Sequence, residues 1–178
     1  MSQLLQNETL KLRALEPEDL ELLYNWENNS SIWEHSNTLK PYSKFVLRNY
    51  LENAHKDIFE VKQVRFIIEI ITTKLAIGTI DLFDIDFYNS RAGVGILIAN
   101  EKQRNKGYAG ESLELITNYA FQHLGLYQLY CNINEDNKNS LKLFQKSGFK
   151  ITGKKENWVK KGLSMKNVYF LQLLSQTE

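Results

Sequence analysis

A basic turn that contains a glycine lies between a short apolar segment and an amphipathic helix. The turn reads Arg-Asn-Lys-Gly-Tyr-Ala over residues 104–109, and the apolar residues 94–98 before it predict a strand. After it, apolar side chains recur in helical steps, at Ala109, Leu113, Ile116, Ala120 and Leu124. This strand–turn–helix order constrains the fold more than any other stretch.

The turn has the chemistry of a phosphate-binding loop. The first N–H groups of a helix have no acceptor within the helix, and the helix dipole adds about half a positive charge at that end. Gly107 lets the main chain approach a ligand closely, while Arg104 and Lys106 add positive charge. The turn therefore predicts a phosphate or pyrophosphate site. A solvated connection with no ligand is the alternative that this turn alone leaves open.

A second stretch, residues 137–149, strengthens the first interpretation. Together the two stretches resemble the GCN5-related N-acetyltransferase (GNAT) family, whose acetyl-CoA loop reads Gln/Arg-x-x-Gly-x-Gly/Ala. Arg104, Gly107 and Ala109 occupy those places. The next helix of the family reads Asn-x-x-Ser/Ala, then a few apolar residues, then Lys/Arg-x-Gly-Phe. The matching residues here are Asn137, Ser140, Lys146, Gly148 and Phe149. The chain is most similar to the ribosomal-protein N-terminal and spermidine acetyltransferase branch.

The resemblance implies a binding site for acetyl-CoA. In the family, the strand before the loop binds the pantetheine arm through its main chain, and one of its N–H groups faces the thioester oxygen. That strand is Ile96, Leu97 and Ile98 here, with the catalytic N–H assigned to Leu97. The other residues expected at the cofactor are Arg104, Asn105, Lys106, Gly107, Tyr108, Ala109, Gly110, Asn132, Asn137, Asn139 and Phe144.

The leaving thiolate needs a proton, and Phe144 stands where many family members carry a tyrosine. Phenylalanine has no proton to donate. A serine that matches Ser140 is assigned this role in the ribosomal-protein branch, because a hydroxyl can donate to a thiolate or position a water. Two alternatives remain open: Ser140 bonds only to its own helix start, or a bound water donates the proton.

The acceptor amine has a pKa near ~10, so it must lose a proton before it attacks. Asp84, at a strand end expected to face the cleft, is the first candidate for this step. Glu69, Asp81 and Glu34 follow, and for each the alternative is an ordinary solvated acid. Spermidine acetyltransferases carry a glutamate where this chain has Gly93, and an acid-rich loop where it reads Asn-Thr-Leu-Lys over 37–40. The expected acceptor is therefore a small-molecule amine or a protein N-terminus rather than a named polyamine.

Composition limits the class of protein. There are 22 basic and 21 acidic residues, a net charge of +1, so no global charge favours nucleic acid or a membrane surface. Cys131 is the single cysteine and alternates with polar residues on the apolar face of a strand, which predicts core packing rather than a nucleophile. With no apolar signal segment at the start, we expect a cytoplasmic protein. The three histidines show no ligand spacing, so no metal site is expected.

The remaining patterns predict one α+β domain over residues 1–178, with its core at about 8–174. Alternating segments at 9–14, 63–72, 76–87, 127–134, 149–160 and 166–174 predict strands, and 63–98 reads as an antiparallel meander. Residues 17–27 and 43–54 predict helices, the second with Phe45, Val46, Tyr50 and Leu51 facing inward. Residues 32–41 read as a loop, and Lys154, Lys155, Lys160 and Lys161 as the wet face of a hairpin. The resemblance implies a splayed mixed sheet of about seven strands.

Three functions follow from this. The first is an acetyl-CoA-dependent N-acetyltransferase acting by direct attack of the amine, with a homodimer as one expected assembly. The second is a non-catalytic module that binds acyl-CoA or a partner protein and signals by conformation. The third is a nucleotide-binding protein that uses the same turn.

Overall fold

A computed structural model describes residues 3–36, 38–54 and 56–175, and leaves the side chains of residues 3 and 34–36 undescribed. It contains one mixed seven-stranded sheet in the order β1-β2-β3-β4-β5-β7-β6. The strands are β1 (Leu10–Arg13), β2 (Val64–Ile70), β3 (Leu75–Asp86), β4 (Arg91–Ile98), β5 (Gln128–Asn134), β6 (Lys150–Lys161) and β7 (Ser164–Leu174). Only β4 and β5 pair in parallel.

Six helices flank the sheet in the described part of the chain. They are α1 (Leu20–Glu27), α2 (Ser30–Ser36), α3 (Lys44–Glu52), α4 (Ile58–Val61), α5 (Tyr108–Asn118) and α6 (Lys138–Lys146). A π-helical turn, Tyr119–His123, continues α5, and short 3-10 turns lie at Gln3–Leu5, Pro17–Asp19 and Glu101–Gln103. The fold class and the seven-stranded mixed sheet are as the resemblance implied.

The two faces of the sheet bury two separate apolar cores. Strand β2 shows why, because Phe66, Ile68 and Ile70 contribute to one core while Ile67 lies in the other. Successive side chains of a strand point to opposite faces, so a strand covered on both faces is apolar at nearly every position. Helix α5 covers one face, which we call the α5 face. Helices α1 and α3 cover part of the opposite face, which we call the α1 face.

Helix α5 follows the predicted apolar stripe. Leu113, Ile116 and Ala120 are fully buried in the larger core. The helical steps seen in the sequence therefore place this helix on the sheet directly after β4. Since β4 and β5 are neighbours in the sheet, the strand–helix–strand unit is parallel, as predicted.

Two predictions about the first helices were wrong. Residues 30–36 form a helix rather than the start of a loop. In α3 Leu51 is buried as predicted, but Phe45 and Val46 are exposed and Leu47 is buried instead. Leu47 and Leu51 are four residues apart and share one helix face, so the i, i+4 rule decides which side chains point inward here.

Candidate functional site

Strands β4 and β5 separate soon after they begin. They pair only at Arg91–Gln128, Ala92–Leu129 and Gly93–Tyr130, although β4 continues to Ile98 and β5 to Asn134. In an antiparallel pair every second residue points its N–H and C=O away from the partner strand. Beyond Gly93, those groups of β4 point away from β3 and into a gap. The gap has the length and the hydrogen-bonding groups to hold an extended chain.

A cleft of about 1600 Å³ includes this gap. Most small-molecule sites measure roughly 300–1,000 Å³, so the cleft has room for a long donor together with an acceptor. It brings together most of the residues expected at the cofactor. Those that line it are Ile96, Leu97, Ile98, Arg104, Asn105, Gly107, Tyr108, Ala109, Gly110, Asn132, Asn137, Asn139, Ser140 and Phe144.

The turn before α5 presents unpaired donors to the cleft. Gly107 has φ of 91° and is the residue before the helix. Among the described residues, the N–H groups of Gly107, Tyr108 and Ala109 find no acceptor, while the next two N–H groups bond to the carbonyl of Gly107. Three free N–H groups at the positive end of an eleven-residue helix form an anion site.

The two basic side chains of the turn behave differently from each other. The Arg104 guanidinium donates to the Ile98 carbonyl at 2.9 Å and lies 3.3 Å from Glu101, so it ties the turn to the end of β4 while still lining the cleft. Lys106 does not line the cleft. Its ammonium donates to the Gln103 side chain at 2.9 Å, so the expectation that it contacts the cofactor is not met by this geometry.

The donor strand β4 is held unusually close to β3. A methyl group placed on Gly78 would lie 1.9 Å from the Leu97 carbonyl oxygen, so only glycine fits at this position. A side chain on Gly93 would collide with the Phe83 ring, 2.3 Å away. The absence of a glutamate at position 93 thus has a structural reason, since an aromatic ring already covers that strand position.

Helix α6 places Ser140 and Phe144 on the cleft. The Asn137 side chain accepts the Ser140 N–H at 3.1 Å, so Asn137 caps the helix. Within the described residues, no protein group bonds to the Ser140 hydroxyl, which leaves it available to a ligand. Phe144 is 4% exposed and packs edge-on against Phe149, with ring centroids 5.0 Å apart.

The far side of the cleft contains residues that the sequence did not indicate. Ser31 and Ile32 of α2, together with Lys155 and Trp158 of β6, line it. Lys155 was interpreted as part of a wet hairpin face, and that interpretation was wrong. Its ammonium donates to Asn132 of β5 at 2.8 Å, across the intervening strand β7. Lys155 and Asn132 come together only because β6 pairs with β7 and β7 pairs with β5. The sequence pattern around Lys155 therefore gave no indication that this residue lies at the cleft.

An ion cluster lies beside the donor strand on the α1 face. Arg65 bonds to Asp81 and, at 2.8 Å, to Glu27, and its guanidinium lies 5.6 Å from the Tyr50 ring. Burial lowers the pKa of Arg65, but Asp81 and the other neighbours outweigh this and the net shift is upward. Asp81 is paired with Gly95 across the strands, and a methyl group on Gly95 would lie 3.7 Å from its carboxylate. Arg65 therefore neutralises the carboxylate beside Gly95.

The other expected acids lie elsewhere. Asp84 is exposed at an irregular part of β3, beside the first residues of β4, whereas the cleft opens toward the last residues of that strand. Asp84 does not line the cleft, so the expected orientation of this strand end was wrong. Glu69 faces Lys11 and Arg13 of β1 and accepts the Arg13 Nε–H at 2.8 Å, so it is a structural ion-pair partner away from the cleft. The Glu34 side chain lies outside the described residues.

Cys131 is buried on the α5 face of β5 at the edge of the cleft. Burial raises the pKa of its thiol to about 12. The thiol therefore stays protonated at neutral pH and is a poor nucleophile. This agrees with its interpretation as a core residue.

Two further features concern the described part of the chain. No group of three or more histidine, cysteine, aspartate or glutamate side chains has the arrangement of a metal site there. In the same part of the chain, none of the helices has both the length and the apolar character required to cross a membrane.

Comparison with known proteins shows which family the sequence matches. Residues 9–150 match the acetyltransferase (GNAT) domain. Spermidine N(1)-acetyltransferase of Escherichia coli (strain K12) is 32% identical over 145 residues, which cover 82% of this chain and 75% of that protein. An uncharacterized N-acetyltransferase p20 of Bacillus licheniformis is 26% identical over 172 residues, covering 97% of this chain and 96% of the other.

Solved structures show the same fold. The crystal structure of spermidine N-acetyltransferase from Vibrio cholerae in complex with CoA and spermine superposes with a TM-score of 0.84 at 26% identity. The match covers 94% of this chain and 96% of that one. A dodecameric structure of the Vibrio cholerae enzyme gives a TM-score of 0.78, also at 26% identity, covering 94% of this chain and 95% of the other.

Proposed function

This chain belongs to the GNAT acetyltransferase family and is an acetyl-CoA-dependent N-acetyltransferase, and from that premise we propose that it acetylates the primary amine of a small molecule. The observation that carries the proposal is a single cleft with two chemically different ends. One end presents the free N–H groups of Gly107, Tyr108 and Ala109, and the other is formed by Gly95, Asn132 and the side chains of α2 and β6. We call the second the acceptor end.

The donor end suits acetyl-CoA. The three N–H groups and Arg104 would hold the pyrophosphate, because backbone donors at a helix start bind phosphate oxygens without a large entropic cost. The edge of β4 from Ile96 to Ile98 would pair with the amides of the pantetheine arm. A main-chain N–H at Leu97 would then stabilise negative charge on the thioester oxygen, as oxyanion donors do.

The acceptor amine must be neutral when it attacks the thioester carbon. Asp84 and Glu69 do not line the cleft, and Asp81 is paired with Arg65. We therefore propose that water in the open cleft takes the proton from the ammonium group. Attack then forms the C–N bond and breaks the C–S bond directly, with no covalent enzyme intermediate. The attacking nitrogen must lose a second proton, and this proton would pass to the leaving thiolate by way of the Ser140 hydroxyl or a water beside it.

The leaving thiolate takes a proton at the α6 side of the cleft. The Ser140 hydroxyl lines the cleft and has no bond to another described protein group, so we propose it as the donor. Phe144 lines the same wall but cannot donate. A water bound beside Ser140 is the competing donor.

The non-catalytic alternative is not supported. The relatives that match most of this chain are acetyltransferases by name, including the two spermidine enzymes of Escherichia coli and Vibrio cholerae. A protein N-terminus is the other acceptor class that the sequence left open, and the proposal does not adopt it. The homodimer stays a prediction. Light scattering of the purified chain would give its assembly directly, and the dodecamer described for the Vibrio cholerae enzyme provides one reference size.

An acceptor panel tests the proposal. Purified protein is mixed with acetyl-CoA and monoamines, polyamines, amino sugars or peptides with free N-termini, and the release of CoA thiol is measured. We expect turnover with at least one small primary amine and none above background with the peptides. Turnover with the peptides alone would contradict the proposed acceptor class.

A further inference from the structure

The ammonium group of Lys155 lies between two aromatic rings at the acceptor end of the cleft. Its Nζ is 5.1 Å from the centroid of Trp158 and 5.9 Å from that of Phe170, and it donates to the Asn132 side chain at 2.8 Å. Aromatic faces within about 6 Å attract cations through the ring quadrupole. We call Trp158, Phe170 and Asn132 the cation box.

The cation box lies on the same face of the sheet as the part of the cleft that Gly95 of β4 lines. In an antiparallel ladder, residues directly opposite each other share a face. Asn132 pairs with Phe170, and Lys155 pairs with Val168, which is two residues from Phe170 on the same strand. Lys155, Phe170 and Asn132 therefore project from one face together.

That face continues toward the donor strand as a row of rings. Phe170 lies 5.6 Å from Tyr130, and Tyr130 lies 6.2 Å from Phe83, which covers Gly93. The row links the donor strand to the cation box. An acceptor whose amine reaches the thioester beside Gly95 would extend its remaining atoms along this row.

The charges at the cation box do not favour a second cation on the acceptor there. Acids do lie near the middle of the row, because Asp84 and Asp86 both act on Tyr130, and Asp86 is paired with Arg91. Among the described side chains that line the cleft, the acids are Glu101 and Glu114, which belong to the turn before α5 and to α5 itself. Asp81, the carboxylate nearest to Gly95, is paired with Arg65. Lys155 thus contributes a positive charge where a dicationic acceptor would place its second ammonium.

We propose that Lys155 fills the cation box in place of a substrate ammonium and thereby selects acceptors with a single positive charge. This rests on the proposed function, since it assigns the selectivity of the same site. The aromatic row remains free to contact the apolar part of a monoamine.

The test compares a primary monoamine with the α,ω-diamine of the same carbon length, and adds spermidine as a triamine. The variants are Lys155→Met, which keeps the length of the side chain without the charge, and Lys155→Glu, which reverses the charge. Lys154→Met is the matched control, because Lys154 pairs with Glu156 and does not line the cleft. The quantity measured is the ratio of kcat/KM for diamine over monoamine.

We expect the wild-type enzyme to favour the monoamine, and Lys155→Met to raise the diamine ratio about tenfold or more, mainly through a lower KM for the diamine. Lys155→Glu should raise it further, and Lys154→Met should leave it within about twofold. Raising the salt concentration from about 0.05 to about 0.5 M should raise the wild-type ratio by screening the repulsion, and should not raise the ratio of Lys155→Met.

Two results would overturn this assignment alone. One is a wild-type enzyme that already favours the diamine, and the other is a ratio that changes by less than about threefold in both Lys155 variants. Absence of turnover with every amine, in wild type and variants, would instead overturn the proposed function and this inference with it.

Discussion

Gly107 combines a conformation and a position that another residue could not supply. Its φ of 91° lies in the left-handed region, where side chains are strained, and its own N–H is the first of the three free donors before α5. Residues in such conformations often occur where a backbone approaches a ligand closely. Single substitutions at Gly107 and Ser140 therefore test this part of the cleft most directly.

Gly107→Glu should weaken acetyl-CoA binding by about 100-fold or more, roughly 2.7 kcal/mol, because it places a negative side chain against the expected pyrophosphate. Isothermal titration calorimetry measures the change. Gly162→Glu is the matched control, since Gly162 also has a positive φ, 61°, but lies in the β6–β7 turn with no atom within 4 Å of an added Cβ. Equal affinity in both variants would refute the placement of the pyrophosphate.

Ser140→Ala tests the proton donor for the thiolate. We expect kcat to fall roughly 100-fold, the low end of the usual contribution of a general acid, while the affinity for acetyl-CoA is retained. Adding Phe144→Tyr to Ser140→Ala should restore part of the rate, because a phenol on the same wall of the cleft can donate instead. Stopped-flow measurement of thiol release gives both values. Full activity of Ser140→Ala would remove Ser140 from the mechanism.

At the scale of the elements, the close approach of β3 to β4 positions the donor strand. Gly78→Ala would place a methyl group 1.9 Å from the Leu97 carbonyl oxygen, so the two strands must move apart. We expect a loss of about 2–3 kcal/mol in the free energy of unfolding and weaker acetyl-CoA binding.

Urea denaturation and calorimetry measure the two effects of Gly78→Ala. Gly153→Ala, in β6, is the control, because its added methyl group would meet Phe170 at an ordinary 3.6 Å. A stability loss in Gly78→Ala with undiminished acetyl-CoA affinity would show that the spacing of β3 and β4 does not matter for the donor.

The elements that could be predicted from the sequence are those with a clear period. The alternation of β2 and the apolar stripe of α5 reflect burial against large flat surfaces, so local spacing reveals them. Helix α2 has no such stripe. It buries Ile32, and the Trp33 indole N–H donates to the Glu27 carbonyl at 2.7 Å, so contacts with α1 rather than periodicity support it.

The candidate site likewise divides into a part that local sequence reveals and a part that only the folded sheet assembles. The donor end lies within one continuous stretch, and its loop motif was visible in the sequence. The acceptor end is assembled from α2, β4, β5 and β6, and only the strand order brings Lys155 beside Asn132. Asp84 was misplaced for the same reason, because the direction in which β4 and β5 separate is a property of the whole sheet.

At the scale of the molecule, an ion cluster connects the first helix to the sheet. Asp19 is 6% exposed, and both of its oxygens accept from Arg13 at 2.8 Å, while Arg13 also donates to Glu69. Burial favours the neutral acid, but the hydrogen bonds from Arg13 and from the Glu16 N–H outweigh it, so the pKa of Asp19 is below its ordinary value.

Asp19→Asn should lower the free energy of unfolding by about 2 kcal/mol at pH 7, because it leaves Arg13 short of a charged partner. A carboxyl whose pKa is lowered by folding stabilises above its unfolded pKa of about 3.9, and this contribution disappears as the pH falls through the lower folded value. The difference between wild type and Asp19→Asn should therefore shrink below about pH 4.

Urea denaturation from neutral to acidic pH tests the effect of Asp19→Asn. Glu8→Gln, at an exposed position, is the control and should change stability by less than about 0.5 kcal/mol at any pH. A difference between wild type and Asp19→Asn that stays constant with pH would contradict the role of the Asp19 charge.

The proposed site for acetyl-CoA exists because β4 and β5 separate, which leaves a gap between two neighbouring strands of the sheet. A crystal structure of the protein with CoA tests this most directly. We expect phosphate oxygens within hydrogen-bonding distance of the N–H groups of Gly107, Tyr108 and Ala109. We also expect the pantetheine arm to pair along β4 at residues 96–98. Phosphates bound elsewhere, or a pantetheine arm outside the gap between β4 and β5, would contradict this expectation.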